Sequence, residues 1–120
     1  MMNAEFDISQ RSFDFAVRIV KLCQFLEKQS GVPRTLANQL LRSGTSIGAN
    51  IEEAQAGQSK ADFIAKMSIS RKEARETLYW IKLLEATELV TSDKIEGLKT
   101  EADEVVRILT SIVKTAQQRK

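Results

Sequence analysis

Residues 39–53, with the sequence QLLRSGTSIGANIEE, constrain the fold more than any other stretch. Apolar residues in and just before it recur at helical steps, at Leu36, Leu40, Ile47 and Ile51. Two glycines interrupt this helical pattern, and each destabilises a helix interior by up to about 1 kcal/mol relative to alanine. A helix with such glycines usually bends or lets a neighbouring backbone come very close. The stretch therefore predicts a helix that packs through a crowded seam of small residues.

The composition is that of a soluble, cytoplasmic protein with one domain over residues 1–120. Hydrophobic residues make up 42% and charged residues 28% of the chain. The net charge of +2 is too balanced to indicate nucleic-acid binding by itself. The single cysteine, Cys23, excludes an intrachain disulfide and fits a reducing compartment. No apolar run approaches the roughly 20 residues that span a membrane, and the first residues do not resemble a signal peptide.

Four helices account for most of the chain. Their predicted ranges are about 8–28, 33–54, 59–86 and 94–117, separated by short turns. The fourth helix carries a coiled-coil-like alternation of apolar residues three and four apart, from Ile95 to Ala116. Helices joined by short links pack antiparallel to their neighbours. The sequence therefore predicts an all-α, up-down-up-down four-helix bundle.

The first helix has apolar residues over more than half of its circumference, whereas the outer helix of a small bundle needs only one apolar stripe. One interpretation is a deeply buried helix, and the other, which we favour, is a subunit interface. The third helix adds apolar residues beyond its own core stripe. The predicted interface comprises Phe15, Ile19, Leu22, Leu26, Trp80 and Leu83.

Catalytic and metal-binding constellations are not found. The chain has no histidine, which excludes the Glu-x-x-His sites of di-iron bundles and histidine-ligated haem. Glu73 and Glu76 share a helix face, but such pairs are usually solvated or capping carboxylates. Ser43 and Ser46 lack a histidine base, although a serine–lysine pair is not strictly excluded. We therefore expect no enzymatic activity, no cofactor and no metal.

Two groups of basic residues are candidates for phosphate contacts. Arg71, Arg75 and Lys82 share one face of the third helix, and Lys114, Arg119 and Lys120 end the chain. Phosphate binding requires several such charges on one surface. An ordinary charged exterior is the more frequent explanation in a chain of this net charge, but symmetric assembly would multiply a modest patch.

Two motifs resemble the 23S rRNA intervening-sequence proteins, a family of four-helix bundles. The first lies within QLLRSGTSIGANIEEA, and the second within KADFIAKMSISRKEARETLYWIKLL. The family often has a glycine where this chain has Ala54, and a Val-Trp-Gln-Lys segment that is absent here. The matching residues are Arg42, Ser43, Ser46, Ile47, Ala49, Asn50, Ile51 and Glu53 in the first motif, and Asp62, Phe63, Glu73, Ala74, Glu76, Thr77, Tyr79 and Trp80 in the second.

The resemblance implies a bacterial cytoplasmic bundle that assembles as a ring-like homopentamer. It also implies a link to nucleic acid, because some members are encoded within insertions in 23S rRNA genes. A related branch contains accessory variability proteins of diversity-generating retroelements, which assist a reverse transcriptase and its RNA. In the family's helix-packing seam, Gly44, Ser46 and Gly48 would permit close approach, and Asn50 would form a hydrogen bond.

Three functions follow from these observations. The first is a non-catalytic accessory factor that presents repeated basic residues to structured RNA or to a ribonucleoprotein. The second is a protein-interaction scaffold without a nucleic-acid role. The third, an enzyme, has no catalytic set to support it. A salt-sensitive interaction with RNA would favour the first function over the second.

Overall fold

The computed structural model describes residues 4–119, with side chains from residue 8 onward, and contains four helices of similar length. These are α1 (Ala4–Glu27), α2 (Val32–Gln55), α3 (Lys60–Ala86) and α4 (Ser92–Gln118). No β-strand occurs between residues 4 and 119. The all-α, four-helix prediction is therefore confirmed.

The helix ends follow local chemistry. Gly31, with φ of 82°, turns the chain into α2, and a proline occupies the first turn of that helix. At the start of α3, the hydroxyl of Ser59 accepts a hydrogen bond from the backbone N–H of Asp62 at 3.1 Å. α1 begins at Ala4, four residues before the predicted start, since no glycine or proline interrupts the turn before Ile8.

Neighbouring helices run antiparallel. Ser9 near the start of α1 reaches Glu52 near the end of α2, while Cys23 near the end of α1 reaches Ala37 near the start of α2. Among residues 4–119, each helix packs against its two neighbours, and the diagonal pairs α1–α3 and α2–α4 have no Cα atoms within 8 Å of one another. The bundle measures 49 × 22 × 22 Å, and a helix of about 25 residues accounts for about 38 Å of its long axis.

One core runs along the bundle axis and draws on all four helices. Ile19, Leu40, Ile81 and Leu109 are each fully buried. The three-four alternation of α4 correctly predicts its inner face, which includes Ile95, Leu98, Ala102, Val105, Leu109 and Ile112. None of the helices within residues 4–119 is long and apolar enough to cross a membrane.

Candidate functional site

An ion-pair network joins α2 and α3 at residues of both sequence motifs. The guanidinium of Arg42 donates to Glu73 Oε2 at 3.1 Å and also pairs with Glu76. The indole N–H of Trp80 donates to Glu76 Oε2 at 3.0 Å. Both carboxylates are thus satisfied by cationic or N–H donors, and the network fixes the orientation of Trp80. The sequence analysis missed this network, because it treated Glu73 and Glu76 as solvated carboxylates and their partner lies on another helix.

Buried hydroxyls line the contact between α2 and α3 beneath this network. Ser43, Ser70 and Thr77 are completely buried. Ser70 donates to the carbonyl oxygen of Ile47 at 2.8 Å, and Thr77 Oγ1 lies 2.9 Å from Ser43 Oγ. These hydroxyls bond to one another and to the backbone across a close helix contact. Their arrangement is structural, since no basic side chain is among their hydrogen-bond partners.

The two glycines of α2 face α1. A Cβ atom on Gly44 would lie 2.8 Å from Cγ2 of Ile19, closer than real side chains pack. A Cβ on Gly48 would lie 3.2 Å from Ser12 Oγ and 3.7 Å from the Ser12 backbone carbon. Ser12 is itself fully buried, and its hydroxyl donates to the carbonyl of Ser9 at 3.0 Å. Small residues on both helices therefore bring α1 and α2 together, and the sequence prediction missed the α1 half of this seam.

Ser46 and Asn50 do not belong to the seam, so that part of the prediction is wrong. The Ser46 hydroxyl donates to the carbonyl of Arg42 at 2.6 Å, and Asn50 Nδ2 donates to the carbonyl of Ser46 at 2.8 Å. Both bonds lie within α2. The reason is angular: at about 100° per residue, positions 46 and 50 point well away from positions 44 and 48.

The predicted interface on α1 is also wrong. Phe15, Ile19, Leu22 and Leu26 are between 0% and 7% exposed and lie in the bundle's own core. α1 has a second apolar stripe, at Phe13, Val17 and Val20, and the structure turns this one outward. Their exposures are 65%, 39% and 38%. Trp80 and Leu83, the α3 part of the predicted interface, are partly exposed.

The outward stripe of α1 borders α2, whose exposed residues include Ala49 as well as the charged Arg42, Glu52 and Glu53. Phe13 lines a cavity with Ser9 and Glu52, which places it beside α2. On the opposite flank, Trp80 is tied to α2 through Glu76 and Arg42. Small uncharged residues of α2 lie between them. We call this surface the α2 face and define it by Phe13, Val17, Val20, Thr45, Ala49 and Trp80.

The basic residues predicted on α3 form one edge of the bundle. Leu78 and Lys82 line a cavity between α3 and α4, and Arg71 and Arg75 each lie seven residues earlier, on the same side of the helix. Arg71 is half-buried, whereas Arg75 and Lys82 are exposed. We call Arg71, Arg75 and Lys82 the basic edge. None of the three forms an ion pair with another residue within 8–119.

Neighbouring cations on α4 are paired with acids. Lys99 Nζ contacts Glu85 at 2.9 Å, and Arg107 contacts Asp103 at 3.0 Å. The hydrogen bond between Lys99 and Glu85 raises the pKa of the lysine and lowers the pKa of the carboxyl group. The basic edge thus retains charge that its surroundings do not neutralise.

The predicted cations at the chain end lie apart from most of the basic edge. Lys114 and Arg119 are exposed at the end of α4, which runs antiparallel to α3 and therefore finishes beside its start. Lys82 lies near the opposite end of α3. Lys120 falls outside the described residues. The structure accordingly joins Arg71, Arg75 and Lys82 along one helix and places Lys114 and Arg119 at one end of the bundle.

Cys23 is a buried thiol in the contact between α1 and α2. Its Sγ lies 3.4 Å from the carbonyl oxygen of Ala37. Burial raises the pKa of the thiol to about 11, with a smaller contribution from Glu27. The thiolate, which is the nucleophilic form, is therefore scarce at neutral pH. Within the described residues, no group of three or more histidine, cysteine, aspartate or glutamate side chains could hold a metal ion.

Comparisons with known proteins agree with the two motifs. The family model of the 23S rRNA-intervening sequence protein matches residues 4–111. A crystal structure of a protein with unknown function from the S23 ribosomal protein family of Bacteroides thetaiotaomicron is 46% identical to this chain. The similarity covers 93% of this chain and 99% of that one, with a TM-score of 0.85. No curated protein matches the chain. With its motif residues paired across α2 and α3, this chain belongs to the 23S rRNA-intervening sequence protein family.

Proposed function

We propose that the protein is a non-catalytic accessory factor that contacts structured RNA, alone or within a ribonucleoprotein, through the basic edge. The observation that carries the proposal is the lack of acidic partners for Arg71, Arg75 and Lys82, beside two cations of α4 that are paired with acids. Unpaired cations in a row attract phosphates, and each phosphate they neutralise releases counterions. The name of the matched family, which refers to an insertion in 23S rRNA, supports RNA as the polyanion.

Three features support the non-catalytic part of the proposal. The hydroxyls of Ser43, Ser70 and Thr77 are buried and hydrogen-bonded, Glu73 and Glu76 are paired with Arg42, and the pKa of Cys23 is about 11. A catalytic nucleophile needs an adjacent base or a lowered pKa.

We also propose a cytoplasmic location. The one cysteine is a free thiol, which is compatible with the reducing cytoplasm.

We further propose that the protein assembles with copies of itself through the α2 face. Phe13 is 65% exposed beside α2, and Tyr79, next to Trp80, is 59% exposed. Large exposed apolar patches on soluble proteins usually mark interfaces. In the proposal, Trp80 keeps its predicted role, and Phe13, Val17 and Val20 replace the buried residues of α1. The count of five subunits comes from the family resemblance.

A protein-interaction scaffold without a nucleic-acid role is the second candidate. The α2 face favours this candidate, because an exposed apolar surface is suited to a protein partner. A salt-dependent affinity for RNA separates the two candidates, because it is expected of the RNA-binding factor and not of the scaffold.

The test is a salt titration of binding to a structured RNA hairpin. The triple variant Arg71→Glu/Arg75→Glu/Lys82→Glu should bind at least about tenfold more weakly. Its slope of log K against log salt should fall by roughly 2, because each neutralised phosphate contributes about 0.7–0.9 to that slope. The matched control is Lys28→Glu/Lys60→Glu/Lys72→Glu, which changes the charge equally at three exposed lysines. Equally weakened binding in both variants would remove the basic edge from the proposal, and no binding by the wild-type protein at low salt would favour the scaffold.

A further inference from the structure

α1 and α4 leave a groove open between them near the end of α1 and the start of α4. It has a volume of about 280 Å³. Its floor is apolar, because Leu22 and Leu98 belong to the core and Phe25 packs against it. The lining residues are Arg18, Lys21, Leu22, Phe25, Lys94 and Leu98, and we call this site the α1–α4 groove.

The rim of the groove carries three cations and no acid. Arg18, Lys21 and Lys94 form no ion pair with any residue within 8–119. Two acids of α4 near the groove have other partners: Glu101 accepts from Arg11 at 2.6 Å, and a hydrogen bond from Thr91 lowers the pKa of Asp93, to which the charge of Lys94 adds a smaller effect. The groove therefore concentrates positive charge over an apolar floor.

Two contacts show where two of these cations lie. Gly97 makes room for Arg18, because a Cβ atom there would lie 2.9 Å from the Arg18 Nη2 atom. Lys94 places its ammonium 4.8 Å from the centroid of the Phe25 ring. A ring face is a weak partner for an ammonium at an exposed site. A phosphate would be a stronger partner for Lys94, and binding one would free the ring face.

We propose that the α1–α4 groove binds a nucleotide, either free or as one unit of a single strand. The base lies on Phe25 and the flanking leucines, and the phosphate lies among Arg18, Lys21 and Lys94. Aromatic side chains stack on bases of any sequence, and arginine matches phosphate with a planar pair of donors. Because the floor consists of only three side chains, it suits a compact ring better than a long lipid chain.

This site is separate from the basic edge. The groove lies between α1 and α4, whereas the basic edge follows the side of α3 that faces α4. If the bound nucleotide is one unit of an RNA strand, nucleotide binding in the groove deepens the proposed function and rests on it. A free nucleotide would occupy the groove even if the basic edge bound nothing.

Calorimetry with three probes tests the inference: adenosine diphosphate, inorganic phosphate and a short oligoadenylate. We expect adenosine diphosphate or oligoadenylate to bind at least about tenfold more tightly than inorganic phosphate, because the base adds stacking to the phosphate contact. Arg18→Glu/Lys94→Glu should weaken the binding at least about tenfold, and Phe25→Leu about fivefold or more. Circular dichroism and thermal unfolding establish that each variant is folded.

The basic-edge variant Arg71→Glu/Arg75→Glu/Lys82→Glu serves as the matched control and should bind adenosine diphosphate normally. Tighter binding of oligoadenylate than of adenosine diphosphate identifies the strand as the source, and equal binding identifies the free nucleotide. Binding of adenosine diphosphate without any binding of the RNA hairpin would support the groove and contradict the proposed function. If the protein binds the hairpin but neither nucleotide probe, the groove does not bind a nucleotide and the proposed function stands. The same conclusion follows if inorganic phosphate binds as tightly as the nucleotides.

Discussion

α1 meets its two neighbours in opposite ways. Against α2, both helices present small residues, and Gly44 and Gly48 admit Ile19 and Ser12 of α1 at close range. Against α4, long charged side chains span the contact: Arg11 reaches Glu101 at 2.6 Å, and Arg18 lies over Gly97. At these two glycines the first contact is sealed, although a cavity beside Phe13 opens near its end, and the second contact leaves the α1–α4 groove open.

The contacts of α3 repeat this contrast. Its contact with α2 contains the buried hydroxyls of Ser43, Ser70 and Thr77, while its contact with α4 includes the solvent-accessible pair of Lys99 and Glu85. The polar residues buried between α2 and α3 are thus short, and the charged pair of Arg42 with Glu73 lies at the partly exposed edge of that contact. The contacts of α4 carry long charged pairs instead. In our proposals, α2 serves packing and assembly, and α4 borders the surfaces that bind anions.

The largest effect is expected from Gly48→Leu. The new side chain would meet Ser12 and its backbone, where a Cβ already lies 3.2 Å from the hydroxyl oxygen. Overpacking of this kind destabilises by about 1–3 kcal/mol, occasionally more. The free energy of unfolding, measured by denaturant titration, should fall accordingly.

Gly97→Leu is the matched control for the α4 side. There the nearest atom is the end of the flexible Arg18 side chain, and Gly97 is exposed. Because glycine weakens a helix interior, this substitution should leave stability unchanged or raise it by up to about 1 kcal/mol. Equal destabilisation by the two substitutions would refute the contrast between a sealed and an open contact.

A smaller destabilisation is expected from Thr77→Val, which removes a buried hydroxyl but keeps the shape of the side chain. Thr77 Oγ1 lies 2.9 Å from Ser43 Oγ across the helix contact and 2.8 Å from the carbonyl of Glu73. Removing such bonds from a buried site destabilises by about 1–2 kcal/mol. Thr110→Val, at an exposed threonine that donates only to the carbonyl of Val106, should stay within about 0.5 kcal/mol of the wild type.

The smallest effect concerns pH and the pair formed by Lys99 and Glu85. The lysine lowers the pKa of Glu85 below its ordinary value of 4.5, so the pair stabilises the fold above that pH and ceases to do so as the pH falls through the folded-state value. Conversely, the pKa of Lys99 is raised above 10.5, so its contribution is present below that pH and disappears at higher alkaline pH. The pair is exposed enough for salt to screen it.

NMR titration of the Glu85 carboxyl group measures this shift directly. In Lys99→Met, the pKa of Glu85 should return towards 4.5, and added salt should reduce the shift in the wild type. An unchanged titration in that variant would mean that Lys99 does not hold the carboxylate.

Periodicity predicted the fold because each helix of this bundle presents one stripe to a common core. In α4 the stripe from Ile95 to Ile112 is buried. In α1, by contrast, Phe15 and Phe13 each belong to an apolar stripe at helical spacing. The sequence does not say which stripe faces inward. The choice depends on α2, where Gly44 accepts Ile19 from the inner stripe.

The candidate sites were less predictable because they depend on pairs of helices. The cations of the basic edge share one helix, so projection of the sequence placed them together. Two of the sites join residues more than thirty positions apart in the sequence. These sites are the pairing of Arg42 with Glu73 and Glu76 and the α1–α4 groove, which Arg18 and Lys94 line. Residue spacing within one helix carries no information about such contacts.

The assembly role of the α2 face is tested most directly by light scattering on the protein as it elutes from a sizing column. For a chain of 13.5 kDa, five subunits would give a mass of roughly 68 kDa. Phe13→Glu should shift the mass towards that of the monomer, whereas Thr110→Glu on α4 should leave it unchanged. The mass of a dimer or tetramer would be consistent with the interface but not with five subunits. A mass of 13.5 kDa for the wild-type protein at micromolar concentration would contradict assembly through the α2 face.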